Sequence, residues 1–168
     1  MMKLEEIYCL DTNVLIQAWQ KYYSEKLCPD YWKVLNELGE KDKIFIPEEV
    51  YREIEKVDDG LLAWLKNSKI TIREKDTDIT NNISKIFNTD PKHKLLVDAK
   101  KGRSLADPWV IAHSMKYKAT LVTKEEKDRS PSSKTVKIPD VCENMKVRCI
   151  NDFQFIDEVG IRFSCKIM

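Results

Sequence analysis

Short apolar runs that alternate with longer helical segments most constrain the fold of this chain. Each run is three or four residues long, which suits a buried strand and is too short for a helix. In chain order the runs are 7–10, 44–46, 70–72, 119–122 and 147–150. Strands that alternate with helices form parallel sheets covered on both faces. The sequence therefore predicts a three-layer α/β/α fold with a mainly parallel sheet of about five strands.

The segments between these runs predict helices and one loop. Helical spacing of apolar residues runs from 14 to 23, and Gly39 is expected to end a second helix over 31–38. Pro47 suits the start of a third helix, with Val50, Ile54 and Val57 on its buried face. Further helices are expected over 61–66, 76–88, 90–102, 107–117 and 153–159, with a mobile loop over 124–137.

Length and composition indicate one globular domain. The 168 residues suit a single α/β domain over 1–168, and neither a repeat nor a linker interrupts them. The net charge of +1, from 29 basic and 28 acidic residues, argues against a protein that coats DNA. No apolar run could span a membrane, and the N-terminus lacks the apolar stretch of a signal peptide. Five cysteines without a C-x-x-C pair predict reduced thiols in the cytoplasm.

Four acidic residues are the candidates for chemistry. Asp11 follows the first predicted strand and Glu125 follows the fourth, and in parallel sheets the site lies at the carboxyl ends of the strands. Among the acids of the third helix, Glu53 points most nearly along the buried stripe. Asp107 begins a helix on the face that carries Val110 and Ile111.

Each acid also has a simpler explanation. Asp107 before Pro108 suits a helix N-cap, and Asp11 could cap the first helix. Glu53 could be a solvated helical side chain, and Glu125 a loop charge. The occurrence of all four acids together favours a functional site over these separate explanations. A carboxylate held inward must be paired, hydrogen-bonded or bound to a metal.

Four segments in this order resemble the PIN-domain nucleases. They are L-D-T-N-V-L over 10–15, I-P-E-E-V-Y-R-E-I over 46–54, A-D-P-W-V-I-A over 106–112 and L-V-T-K-E over 121–125. The first and third are close to the family signatures, and the resemblance covers roughly the first four-fifths of the chain. The I-P-D-V-C segment over 138–142 and the ending from Gly160 to Phe163 are also similar to an uncharacterised prokaryotic PIN-like family.

The resemblance implies a metal site. Asp11, Glu53 and Asp107 would hold Mg²⁺ or Mn²⁺, directly or through water, and Glu125 would complete the acidic ring. Asn13 and Thr123 would orient water, metal or phosphate from behind these ligands. The chain departs from the family at its fourth acid, which is usually aspartate, so the nearby acids Glu126 and Asp128 stay open as alternatives.

The resemblance also implies an RNA substrate, cleaved to leave a 5′-phosphate. Basic residues on either side of the acids are candidates for phosphate contacts, namely Lys100, Lys101, Arg103, Lys127 and Arg129. Small PIN domains resemble VapC-like toxin ribonucleases, which implies an antitoxin partner; a second copy of the chain is a further candidate partner. Two alternatives remain: an RNA-processing nuclease without an antitoxin, and a PIN-like module that has lost catalysis and binds RNA or protein.

Overall fold

A five-stranded, all-parallel sheet forms the centre of the computed structural model, which describes residues 5–57, 59–97, 104–127, 130 and 135–168. The strand order is β3-β2-β1-β4-β5, which places β1 in the middle. This confirms the predicted fold class. The strands are β1 (Tyr8–Leu10), β2 (Ile44–Pro47), β3 (Thr71–Arg73), β4 (Thr120–Val122) and β5 (Cys149–Ile150).

Helices cover the sheet and connect the strands. The α-helices are α1 (Thr12–Gln17), α2 (Pro29–Glu40), α3 (Glu48–Glu55), α4 (Leu61–Asn67), α5 (Thr77–Thr89), α6 (Asp107–Tyr117), α7 (Ile138–Met145) and α8 (Asp152–Glu158). A π-helix over Ala18–Tyr22 continues α1, and a 3-10 helix over Pro91–Leu96 follows α5. No helix of the described residues is long and apolar enough to cross a membrane.

The three central strands are buried along their whole length. Every residue of β1, β2 and β4 is buried, which explains why these strands are continuous apolar runs rather than alternating patterns. Helix α6 lies against β1, β2 and β4 on one side and packs along α5 on the other. Because α6 also begins with Asp107, the packing of this helix fixes where that carboxylate lies.

The first helix changes geometry at Ala18. The sequence predicts one regular helix from 14 to 23, but the N–H of Tyr23 donates to the carbonyl of Ala18 over 2.8 Å, which is the spacing of a π-helix. The wider turn rotates the following side chains away from their expected positions. Tyr22, which was expected on the buried face, is 50% exposed.

Gly39 does not end the second helix. Helix α2 continues to Glu40, and Gly39 is buried inside it. A Cβ atom at this position would lie 2.7 Å from the backbone nitrogen of Ile70 and 2.8 Å from its Cα. The glycine is therefore required for close approach of two backbones, just before β3.

We expect Gly39→Ala to lower the free energy of unfolding. Alanine favours a helix interior by about 1 kcal/mol over glycine, but its methyl group would displace the Ile70 backbone, and overpacking costs about 1–3 kcal/mol. The net effect is a loss, measurable by urea denaturation followed by circular dichroism. A variant as stable as the wild type would show that the segment before β3 can move aside without cost.

Two further boundaries differ from the predicted ones. Helix α3 ends at Glu55, so Val57 lies beyond it and is 38% exposed rather than buried. The helix expected over 90–102 is a 3-10 helix that ends at Leu96, and residues 98–103 lie outside the described residues. In the segment expected to be a loop, the described residues from Lys124 to Lys137 form no helix or strand.

Candidate active site

The carboxyl ends of β1 and β4 bring Asp11 next to Thr123. The strands pair with Leu10 opposite Val122, so the residue after each strand lies at the same edge. The hydroxyl of Thr123 donates to Asp11 Oδ2 over 2.8 Å, and the N–H of Thr12 donates to Oδ1 over 2.8 Å. Asp11 is thus both the N-cap of α1 and a buried carboxylate anchored through both oxygens.

Glu53 joins this edge from the third helix. Its Oε2 accepts a hydrogen bond from the hydroxyl of Thr12 over 2.6 Å. Its Oε1 accepts one from the N–H of Ala106 over 3.2 Å. The side chain therefore links the start of α1 to the start of α6, and it is neither isolated nor fully solvated.

Asp107 is buried at the start of α6 but is not its N-cap. Ala106 occupies the cap position, and Asp107 is the first residue of the helix, before Pro108. The simpler alternative, that Asp107 is present as the N-cap of this helix, is therefore wrong. Its side chain interacts with that of Ser104, which offsets only part of the effect of burial on its pKa.

Burial and mutual repulsion raise the pKa of two of these acids. The pKa of Asp11 is raised to about 7 and that of Asp107 to about 9, and removal from water is the largest cause at both positions. The negative charges of Glu53 and Glu125 contribute to both shifts, and the charge of Asp11 contributes to the shift of Asp107. The four acids therefore form one electrostatic group, which we call the acidic cluster.

Glu125 contributes a carboxylate to the cluster from the loop after β4. Its N–H donates to the Thr123 hydroxyl oxygen over 3.1 Å, and its Oε2 accepts from the N–H of Ile138 over 2.9 Å at the start of α7. Glu126 is exposed. Asp128, the other alternative for the fourth acid, lies outside the described residues.

Asn13 connects the two strand ends behind the acids. Its side-chain oxygen accepts from the N–H of Lys124 over 3.0 Å, and its side-chain nitrogen donates to the Thr123 hydroxyl oxygen over 3.4 Å. Asn13 and Thr123 therefore lie beside the acidic cluster, where they can fix the position of Asp11.

The donor set of the cluster consists of carboxylate and hydroxyl oxygens, which are the ligands of hard divalent cations. In the part of the chain that the structure describes, no three histidine, cysteine, aspartate or glutamate side chains are placed so that they could hold a metal ion as they stand. Protein donors bond to both oxygens of Glu53 and to Oε2 of Glu125. The residue types nevertheless fit a divalent cation.

Of the basic residues proposed to contact phosphate, one is described. Lys127 is exposed, and its amine lies 2.6 Å from Glu143 Oε2. The other four lie outside the described residues: Lys100, Lys101, Arg103 and Arg129.

A buried pair near the cluster was not predicted from the sequence. Glu49 is more buried than Glu53, although Glu53 was expected to be the most inward acid of α3. Glu49 Oε2 lies 3.6 Å from His113 Nε2, and none of the four polar side-chain atoms of this pair has a hydrogen-bond partner among the residues that the structure describes. The sequence did contain a signal for the buried position of Glu49. This residue lies four positions, or one helical turn, before Glu53 and so on the same side of α3.

The chain is similar to one family and to a solved complex. A family model described as "Domain of unknown function (DUF4411)" matches residues 8–163. None of the curated proteins matches the chain. The fold resembles a chain in the crystal structure of VapBC2 from Rickettsia felis bound to a DNA fragment from their promoter. The TM-score is 0.54 and the identity 18%, over 86% of this chain and 98% of that one, so the likeness concerns the fold alone.

Proposed function

The chain belongs to the family described as Domain of unknown function (DUF4411), a PIN-like family of VapC-type fold, and we propose that it is a metal-dependent endoribonuclease. One observation carries the proposal. Four separate segments bring a carboxylate each to the carboxyl edge of the sheet, where at least two of the four are held at an electrostatic cost. Such a cost is expected where acids share a functional site rather than a structural role.

In this proposal Asp11, Glu53 and Asp107 hold Mg²⁺ or Mn²⁺, directly or through water, and Glu125 completes the ring. The fit rests on the all-oxygen donor set and on the raised pKa values of Asp11 and Asp107, whose repulsion a cation would relieve. When bound, such an ion activates a water molecule and stabilises charge on the phosphate.

The surrounding residues have positioning roles. Thr123 and the backbone N–H of Thr12 hold one oxygen each of Asp11, which fixes the plane of its carboxylate. The Thr12 hydroxyl donates to Glu53 and restricts the orientation of its carboxylate. Asn13 accepts a hydrogen bond from the backbone after β4 and holds that backbone in place. These contacts orient the ligands before substrate arrives, as hydrogen bonds behind metal ligands generally do.

Phosphate contacts are assigned to five basic residues that lie near Asp107 and Glu125 in the sequence: Lys100, Lys101, Arg103, Lys127 and Arg129. They would offset the repulsion between the acids and the RNA backbone. Of these five residues, the structure describes Lys127. Its exposed amine is paired with Glu143, and a phosphate group would have to replace that carboxylate as its partner.

We infer further that the protein is the toxin of a toxin–antitoxin module that acts in the cytoplasm. The support is the VapC-type fold, since the similar structure is a VapBC2 complex. We expect a neighbouring gene to encode an antitoxin. The antitoxin should co-purify with this chain and block its cleavage of RNA. A monomeric or homodimeric enzyme that no neighbouring gene product inhibits would instead be an RNA-processing nuclease.

The direct test is cleavage of single-stranded RNA by the purified protein. We expect cleavage that requires Mg²⁺ or Mn²⁺, stops in excess chelator and resumes when the metal is restored. The Asp11→Asn protein, measured beside it, controls for contaminating ribonucleases and should be inactive. Undiminished cleavage in excess chelator, or equal cleavage by both proteins, would contradict the proposal.

A further inference from the structure

Next to the acidic cluster, the amine of Lys124 lies between two aromatic rings. Its Nζ is 4.4 Å from the centre of the Tyr22 ring and 5.2 Å from that of Phe153. The same atom lies 2.7 Å from Asp152 Oδ2. The side chains of Lys124 and Asp152 are only 12% and 7% exposed, so this ion pair is enclosed and its charges largely cancel.

The two rings, by contrast, remain open to solvent. Tyr22 is 50% exposed and Phe153 is 60% exposed. One exposed apolar side chain is ordinary for a protein surface, but these two come from distant parts of the chain and converge on one amine. Tyr22 also ends the π-helix, a rare geometry that occurs frequently at functional sites.

The lysine that contacts both rings starts beside the acids. Lys124 is the residue between Thr123, which binds Asp11, and Glu125, which belongs to the cluster. Its N–H donates to Asn13 at the start of α1. The rings are therefore separated from the cluster by one lysine side chain, and a ligand whose phosphate reaches the cluster could place a neighbouring nucleotide over them.

We propose that Tyr22 and Phe153 form a stacking platform for one nucleobase of single-stranded RNA next to the phosphate that is cleaved. The inference rests on the proposed ribonuclease function and adds a base-binding subsite to it. Exposed aromatic rings stack readily on unpaired bases, which have open faces, whereas bases inside a duplex do not. The platform therefore selects single-stranded RNA.

The chemistry favours a base over a phosphate group at this position. Lys124 cannot act as a free cation, because Asp152 already neutralises it within the enclosed pair. What the surface offers is the exposed part of two aromatic rings, and the nearby carboxylates would repel an additional phosphate. Binding at the platform should therefore depend on the base and contribute little to the salt dependence of affinity.

The experiment combines protein variants with RNA that lacks single bases. The Asp11→Asn substitution is placed in every protein so that RNA is bound but not cut. Fluorescence anisotropy then gives the Kd for an intact single-stranded RNA and for a series with one abasic nucleotide moved along it. Three variants are compared. The first is a double variant that carries both Tyr22→Leu and Phe153→Leu, and the second is the conservative Tyr22→Phe. The third, Leu95→Ala, changes an exposed aliphatic side chain outside the platform and serves as the control.

We expect one abasic position to weaken binding about tenfold when the platform is intact. The double leucine variant should bind intact RNA about tenfold more weakly and should no longer distinguish that position. Its salt slope should be unchanged, and Tyr22→Phe and Leu95→Ala should bind like the parent. The abasic series on the unsubstituted platform gives a result even if the double variant folds poorly.

Each contrary result has a distinct meaning. If all abasic RNAs bind alike, or if the double variant weakens every RNA by the same factor, the platform is wrong and the ribonuclease proposal stands. If the double variant binds RNA normally but loses a co-purifying protein, the surface belongs to a protein partner and the platform is again wrong. If the protein neither binds nor cleaves RNA, both proposals fail together.

Discussion

Asp107→Asn is expected to reduce RNA cleavage by a factor of at least about 100 while the protein stays folded. Substitutions behind metal ligands already cost about 10–100-fold in metal affinity or activity, and Asp107 is proposed as a ligand itself. Asparagine has nearly the same shape but lacks the negative charge that a hard cation requires. Because Ala106 holds the N-cap position, the substitution removes no helix cap.

The measurement is the cleavage rate of single-stranded RNA at saturating Mg²⁺, together with the melting temperature of both proteins. Asp157→Asn is a matched control, since it removes an exposed carboxylate that pairs only with Arg162 among the described side chains. We expect this control to cut RNA at the wild-type rate. A folded Asp107→Asn protein with wild-type activity would refute the catalytic assignment.

The second large effect concerns the metal-free protein, whose stability should fall as the pH rises. In the folded state the pKa of Asp11 is raised to about 7 and that of Asp107 to about 9, whereas an unfolded aspartate has a pKa of about 3.9. Between these values the folded state binds more protons than the unfolded state. The free energy of unfolding therefore decreases as the pH rises from about 4 through about 9, the pH at which Asp107 in the folded state is half ionised.

Two other acids have shifted pKa values but do not change the stability in this pH range. Hydrogen bonds from Lys116 and Arg148 lower the pKa of Asp76 and that of Glu158, respectively. A lowered pKa contributes stability that is present above the unfolded pKa and is lost only in acid. The buried thiols of Cys9 and Cys142 also have raised pKa values, but they lower stability only above about pH 8, where unfolded thiols begin to ionise. The decrease between about pH 5 and pH 8 is therefore assigned to the acidic cluster.

Melting temperatures of metal-free protein between about pH 5 and pH 9, with and without Mn²⁺, test this expectation. The wild type should melt at lower temperature as the pH rises, and Mn²⁺ should restore its stability by an amount set by metal concentration over Kd. An Asp11→Asn/Asp107→Asn double variant should show a flatter pH profile and little response to metal. Equal responses in both proteins would place the cation elsewhere.

The sheet was predictable because its strands have no alternative location. Runs such as Ile44–Pro47 are apolar on both faces, and only a central strand covered on both sides buries such a run completely. The placement of Asp11 and Glu125 followed from the same reasoning, since both come directly after such runs. The register of β1 with β4 then brings them to one edge.

What the sequence could not supply were features that depend on a neighbouring element. Gly39 suggests a helix end until the backbone of Ile70 is seen against it. Glu49 lies under α6, and the angle of a residue on its own helix does not reveal which helix covers it. The π-helix at Ala18 also changes the phase of the side chains after it, so helical spacing misplaced Tyr22.

The parallel pairing of β1 with β4 also determines when the acidic cluster can first form. The bond between Thr123 and Asp11 joins residues 112 positions apart. At about 5–20 residues per second, a ribosome needs roughly 6–22 seconds to add the residues between them. Until then β1 has been synthesised without its β4 partner, and Asp11 lacks the hydroxyl that anchors it. A growing chain therefore contains Asp11 long before it can form the acidic cluster.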